Sequence, residues 1–178
     1  MTTTIDDLPN EALCHVGSYL AKPSRALLGV AMVAPSVSWA RRGDSAGPVG
    51  WLCQYGEREW EVLDFGTIVR LAWRLTDDDL AAVLIGIAGQ SSVKRLVLTG
   101  CWEMTGRGLD PVRSSSVIEQ LDMSCGVSSS GSLSEDSVVP ILHDIINAES
   151  CSLRQLQLPK KWCGYRYDDY YSLVCVAI

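Results

Sequence analysis

Histidine is scarce in this chain, and the cysteines lack a metal-binding pattern. There are two histidines and seven cysteines, and no two cysteines have the two-residue spacing typical of zinc ligands. The cysteines are odd in number and widely spread, and the acidic, polar first residues do not form a secretory signal. We therefore expect reduced thiols, no metal, no cofactor, and a cytoplasmic or nuclear location.

Basic charge is also in short supply. The chain has 15 Lys and Arg residues and 21 Asp and Glu residues, which gives a formal net charge of −6. This acidic balance disfavours nucleic acid as a partner. No apolar run reaches the ~18 residues that a bilayer-spanning helix needs, so we expect no membrane partner. A hydrophobic content of 47% is typical of a globular chain with a core.

Polar residues that could serve catalysis have simpler structural explanations. His15 follows Cys14 directly and His143 precedes Asp144, but adjacent helix residues do not share a face. The acidic run 77–79 is explained by a helix start, because no calcium-loop spacing surrounds it. The "TGRG" motif at 105–108 lacks the Gly-Lys-Ser/Thr pattern of a phosphate loop. We therefore predict no catalytic residues and no enzyme activity.

The first block, residues 5–40, has a helical pattern. Proline at position 9 suits the first turn of a helix, and Lys22-Pro23-Ser24 is predicted to break that helix. A second apolar run covers 25–34, and residues 41–59 are predicted to be a linker because 41–50 are rich in glycine. Apolar residues of the first helix recur at three- and four-residue steps: Ala12, Leu13, Val16, Tyr19 and Leu20.

A six-residue pattern then occurs four times between residues 60 and 158. Large apolar residues stand at its first, fourth and sixth positions, and the last two positions lie on one face of a strand. The repeats are offset by 33, 25 and 35 residues, and they start at Trp60, Val93, Ile118 and Leu153.

Helical segments are predicted between these strands. Thr76 and Asp79 form a capping box ahead of an apolar stripe that we expect to end at Gly89. Before the fourth strand, Ser134 or Ser137 could cap a second helix, and Pro140 favours a start near Ser137. Residues 104–116 are predicted to be a loop or a single turn. The two predicted apolar stripes are Leu80, Val83, Leu84, Ile87 and Ala88, and Val138, Val139, Leu142, Ile145 and Ile146.

Strands alternating with helices, on a repeated L-x-x-L-x-L core, are typical of a leucine-rich-repeat solenoid with a curved parallel sheet. The predicted fold class is therefore α/β, with repeats over 60–160. An ordinary α/β domain with a coincidental apolar pattern is the alternative.

Residues 75–101, "LTDDDLAAVLIGIAGQSSVKRLVLTGC", resemble the cysteine-containing class of leucine-rich repeat. Cys101 matches the cysteine of that class, and Cys125 lies one position earlier relative to its strand. The resemblance implies that both are small buried residues stacked between turns.

The segment "LPNEALCHVGSYLAKPSRALLGVAMVAPSVSW" resembles the F-box, with Gly17 where a bulky apolar residue is usual. Alone, an apolar helical stripe normally indicates an ordinary core helix. Together the two resemblances cover residues 5–40 and 60–158. The matching F-box positions are Leu8, Pro9, Glu11, Leu13, Val16, Tyr19, Leu20, Leu27, Leu28, Val33 and Trp39.

The combined resemblance implies a substrate-recognition subunit of a cullin-type (SCF) ubiquitin ligase. Its partners would be a Skp-family adaptor with its cullin complex and an unknown protein substrate. A leucine-rich-repeat scaffold without a ligase role is the alternative. Residues 161–178 are predicted to be a C-terminal cap or tail, whose aromatic cluster is either an interface or an end cap. The implied adaptor-binding residues are Leu8, Pro9, Leu13, Val16, Leu20 and Leu27, and the implied concave-face residues are Glu61, Lys94, Val97, Glu119, Asp122 and Gln157.

Overall fold

The structure, a computed structural model, describes residues 10–33, 59–125 and 133–163. Its α-helices are α1 (Asn10–Ser18), α2 (Lys22–Val33), α3 (Val69–Ala72), α4 (Asp77–Gly86), α5 (Gly89–Ser92) and α6 (Glu135–Ile146). Its strands are β1 (Val62–Asp64), β2 (Arg95–Val97), β3 (Gln120–Asp122) and β4 (Gln155–Gln157), and short 3₁₀ helices cover Phe65–Ile68, Arg107–Val112 and Lys160–Cys163.

The four strands form one parallel sheet in chain order, β1-β2-β3-β4. Each strand lies inside one of the four repeated apolar segments, so the strand predictions and the α/β class are confirmed. The fourth position of the pattern is in register across the sheet: Leu63 pairs with Leu96, Leu96 with Leu121, and Leu121 with Leu156.

The same backbone contact joins each strand to the next. The Glu61 carbonyl accepts hydrogen bonds from the N–H groups of residues 94 and 95, at 2.9 and 2.8 Å. The Lys94 carbonyl accepts from residues 119 and 120, at 2.7 and 2.9 Å, and the Glu119 carbonyl from residues 154 and 155, at 2.8 and 3.0 Å. The strands therefore follow one another by a regular step.

The core lies on one side of the sheet because side chains alternate along a strand. The predicted stripes of α4 and α6 contribute Leu80, Val83, Leu84, Val138, Leu142 and Ile145 to it, together with Ile87 just after α4, whereas Ala88, Val139 and Ile146 are exposed. The core residues in the strands are Leu63, Leu96, Leu121 and Leu156, and those directly after the strands are Phe65, Leu98 and Met123.

The predicted capping box of α4 is present. The Thr76 hydroxyl accepts from the Asp79 N–H at 3.3 Å, and the Asp79 carboxylate accepts from the Thr76 N–H at 3.0 Å. The helix ends before Gly89, and the left-handed residue is Ala88, with φ of 51°. Gly89 instead allows close packing, since a Cβ there would lie 2.9 Å from Leu84 Cδ2.

Two helix starts differ from their predictions. The helix α6 begins at Glu135, not near Ser137, so Pro140 lies inside it. Pro140 and Asp136 are both exposed, so water can satisfy the carbonyl that proline cannot bond. The sequence predicts a break between the two helices at Lys22-Pro23-Ser24, but it falls three residues earlier, between the end of α1 at Ser18 and the start of α2 at Lys22. Pro23 stands in the first turn of α2, where proline is favoured.

The helix α2 packs against α4, β1 and the 3₁₀ helix after β1. Ala26 has no exposed surface, and Leu27, Leu28 and Val30 are partly buried against the core. The helix α2 therefore covers one end of the sheet and core. The domain boundaries stay predictions, because nearly all of the linker 41–59 and most of the tail 161–178 lie outside the described residues.

Candidate protein-interaction surfaces

The sheet presents one face away from the core, formed by two rows of side chains. Val62 is 41% exposed and Arg95 is exposed, and most of the other members are half-buried. Amide, carboxylate and guanidinium groups give this face many hydrogen-bond donors and acceptors, which suits contact with another protein. The first row is Val62, Arg95, Gln120 and Gln155, and the second is Asp64, Val97, Asp122 and Gln157.

The predicted concave-face residues divide into two groups. Asp122 and Gln157 belong to the outward rows, where they are half-buried. Val97 belongs to the same row but is only 5% exposed, so little of its side chain is accessible to a partner. Its Cα pairs with those of Asp64 and Asp122, so neighbours on both strands flank the short valine side chain.

Glu61, Lys94 and Glu119 lie just before their strands, not in the outward rows. Together with Arg154 they form a line of alternating charge, because the carbonyls of Glu61, Lys94 and Glu119 each accept hydrogen bonds from the next residue of the line. The Lys94 ammonium lies 2.9 Å from a Glu61 carboxylate oxygen, with both side chains partly exposed. The charges of Lys94 and Glu61 thus partly neutralise each other, and ion pairs that are this exposed contribute little to stability.

The first outward row, Val62 to Gln155, was missed as a candidate surface. Its members lie two residues before the second row on the same strand face, so strand alternation alone could have identified them. They include the exposed Arg95, the cation of the two rows.

Asp64 and Asp122 have an additional structural role at the ends of their strands. The Asp64 carboxylate accepts from the Gly66 N–H at 2.9 Å, and the Asp122 carboxylate accepts from the Ser124 N–H at 2.9 Å. Each carboxylate thereby closes the turn that follows its strand.

The helix α1 presents a second candidate surface. Val16 is 44% exposed and Tyr19, just past the helix, is 78% exposed. The Tyr19 ring packs edge-on against His15 at 5.1 Å between centroids, and Leu20 is half-buried. These side chains form an apolar and aromatic face directed away from the core.

Other predicted adaptor-binding residues have different positions. Leu27 is partly buried against the core of the repeats, so it is not a free contact residue like Val16. Leu8 and Pro9 lie outside the described residues, as does the side chain of Leu13.

Arg25 holds α1 in place and was not identified from the sequence. It is 8% exposed, and its guanidinium donates to the carbonyls of Gly17 at 2.9 Å and Leu20 at 3.2 Å. A third bond of 2.8 Å reaches a carboxylate oxygen of Glu59, ahead of β1. Gly17, which departs from the F-box pattern, thus provides a carbonyl that anchors the end of α1.

Cys101 and Cys125 follow β2 and β3; Cys101 is buried, whereas Cys125 is half-buried. Cys101 is 1% exposed, and the Cys125 thiol donates to the Leu98 carbonyl at 3.4 Å, which also accepts from the Cys101 N–H at 3.0 Å. Burial raises the pKa of Cys101 to about 12 and that of Cys125 to about 11. Both are therefore neutral thiols at physiological pH and poor nucleophiles.

Asp77 anchors the start of α4 to the loop that follows β2. One carboxylate oxygen accepts from the Thr105 N–H at 2.9 Å and hydroxyl at 2.8 Å, and the other accepts from the N–H groups of Gly106 at 3.0 Å and Gly108 at 2.9 Å. Burial acts to raise the pKa of Asp77, but these hydrogen bonds outweigh it and hold that pKa below its ordinary value.

An open cleft of about 600 Å³ lies beside this contact, where α4 and α6 begin. Its charges are mixed, and the Asp77 oxygens on its wall already accept four hydrogen bonds from the protein. The cleft is lined by Thr76, Asp77, Asp78, Glu103, Thr105, Arg107, Ser134 and Ser137.

Within the described ranges, no group of three or more His, Cys, Asp or Glu side chains is placed to hold a metal ion. No helix in those ranges is long and apolar enough to cross a membrane. No protein-family profile matches the chain, and neither a curated protein nor a solved structure matches it.

Proposed function

We propose that this protein is the substrate-recognition subunit of an SCF-type ubiquitin ligase, with an F-box at α1 and α2 and leucine-rich repeats around the sheet. A Skp-family adaptor binds α1, and a target protein binds the open face of the sheet. The chain makes and breaks no bonds itself, since it brings the target close to the rest of the ligase.

The observation that carries this proposal is the exposed face of α1 beside a sheet with a separate open face. Val16, in α1, and Tyr19, just past its end, are 44% and 78% exposed although both belong to the apolar stripe predicted from the sequence. An amphipathic helix recognised by a groove offers such side chains at helical spacing. A purely structural helix would bury them.

The second support comes from the outward rows of the sheet. They face away from the core and hold Arg95 together with three glutamines and two aspartates. A polar face of this kind selects a protein partner by hydrogen bonding and charge. The two surfaces use different elements, so adaptor and target can bind at the same time.

The experiment is an affinity measurement between the purified chain and a Skp-family adaptor. We expect wild-type chain to bind, and Leu8→Ala/Pro9→Ala to weaken binding by at least about tenfold. Arg95→Ala serves as the matched control, because it alters the sheet face and should leave adaptor affinity unchanged. Absence of binding by the wild-type chain would contradict the ligase role.

A second candidate function is a leucine-rich-repeat scaffold with no ligase role. The contact of Leu27 and α2 with the core favours it, because α2 then serves as the end cap that such repeats need. Under this alternative the adaptor does not bind the chain, and substitutions on the exposed face of α1 do not change its affinity for any ligase component.

A further inference from the structure

The helix α3 and the two residues after it form an exposed ridge, which we call the α3 ridge (residues 69–74). Val69 is 56% exposed, Leu71 49% and Trp73 47%. Arg70 and Arg74 are exposed as well, and Ala72 is the one ridge residue that is buried. Three large apolar side chains thus face solvent within five residues, Val69 and Trp73 toward one side of the helical turn and Leu71 toward the other, and exposed apolar side chains this close together are typical of an interaction site.

A neighbouring loop extends this surface. Gly100, after β2, lies against the ridge, since a Cβ there would be 3.6 Å from Ala72 Cβ and 4.0 Å from Val69 Cγ1. Two residues later Trp102 is 39% exposed. The ridge and this loop follow β1 and β2, so they stand at the carboxyl edge of the sheet, apart from the outward rows.

The side chains of the ridge are partly arranged in advance. The Arg74 guanidinium lies over the Trp73 ring, 5.5 Å from its centroid, a cation–π contact that limits the freedom of both. Tryptophan and arginine are the residues most enriched in binding hot spots. Because they are already ordered, less conformational entropy is lost on binding.

The charge of the ridge indicates its partner. Residues 69–74 carry two arginines and no acidic residue, whereas the whole chain has a net charge of −6. Acidic residues lie close by in the sequence, at Glu103 beside Trp102 and at 77–79 after the ridge. The positive charge is therefore confined to the exposed Arg70 and Arg74, which can pair with acidic side chains of a partner. We propose that the α3 ridge binds an acidic peptide segment of a partner protein that also carries large apolar side chains. This surface is independent of α1 and of the sheet face.

The test is a selection of random short peptides displayed on phage against wild-type chain, after depletion on Trp73→Ala/Arg74→Glu. Enriched peptides should carry net negative charge with aromatic or large aliphatic residues. Synthetic copies should bind this variant at least about tenfold more weakly than wild type. The matched control is Ile85→Ala/Arg154→Glu, which alters an exposed apolar residue and an exposed arginine elsewhere, and should bind as wild type does.

Thermal unfolding checks that the variant folds, and Arg70→Glu/Arg74→Glu provides a second test that keeps every apolar side chain. Enriched peptides that are neutral or basic, or that bind both variants as tightly as wild type, would overturn the proposal. So would a ridge-dependent dimer of the chain, or ridge-dependent binding to anionic lipid vesicles without peptide binding.

Discussion

The helices α1 and α2 are sequence neighbours with similar apolar stripes, yet they occupy different environments. The helix α2 buries Ala26 completely and packs against α4, whereas α1 leaves Val16 and Tyr19 largely exposed. An apolar stripe shows that a helix has an apolar face, but it does not show whether the chain itself covers that face. Of these two helices, α1 is the one that leaves its apolar face exposed, and the proposed adaptor contact uses that face.

The largest expected effect comes from placing a charge on the buried face of α2. Ala26→Asp places a carboxylate at a position with 0% exposure, and burying an unpaired charge should lower the free energy of unfolding by about 3 kcal/mol or more. Urea denaturation measures the change. Ala31→Asp, the same substitution at an exposed position of α2, should cost less than about 1 kcal/mol, and equal losses at both positions would contradict the assignment of faces.

A smaller loss is expected where the two helices are joined. Arg25→Met leaves the carbonyls of Gly17 and Leu20 and the carboxylate of Glu59 without this donor, so stability should fall by about 2 kcal/mol. Hydrogen exchange should show faster exchange in α1 than in the strands. Lys22→Met is the control, because Lys22 lies 3.9 Å from Glu59 and is more exposed, and its loss should stay within about 0.5 kcal/mol.

Acid should weaken the hydrogen bonds that hold α4, the helix against which α2 packs. The helix α4 is anchored by Asp77, whose pKa in the folded protein is below its ordinary value of 3.8. A depressed pKa means that the carboxylate stabilises the fold above about pH 4, and that this contribution disappears as the pH falls through the folded pKa. Asp77→Asn should cost about 1 kcal/mol at neutral pH and should flatten the decline in stability at acid pH. Urea titrations across this range measure both, and an unchanged acid profile in the variant would show that Asp77 is not the group responsible.

The smallest effect on stability is expected on the exposed face of α1. Val16→Ser/Tyr19→Ser changes two largely exposed side chains, so the free energy of unfolding should change by no more than about 0.5 kcal/mol. Thermal and urea unfolding test this. A loss as large as that of Ala26→Asp would mean that α1 belongs to the core.

Local sequence patterns predicted much of the fold. Strands at the repeated apolar segments follow from side-chain alternation, and the Thr76–Asp79 cap depends on residues three apart. The contacts that sequence could not predict join distant residues: Asp77 bonds the loop at 105–108, and Arg25 bonds Glu59. These pairings exist only once packing brings the elements together. The burial of Val97 could not be predicted for the same reason, because it depends on the neighbouring strands.

We propose that the exposed face of α1 binds a Skp-family adaptor, while α2 packs against the core of the protein. The most direct measurement is calorimetric titration of the adaptor into wild-type chain and into Val16→Ser/Tyr19→Ser. We expect binding by wild type and at least about a tenfold loss in the variant, with both proteins unfolding at the same temperature. Equal affinities, or no binding by the wild-type chain, would contradict the claim.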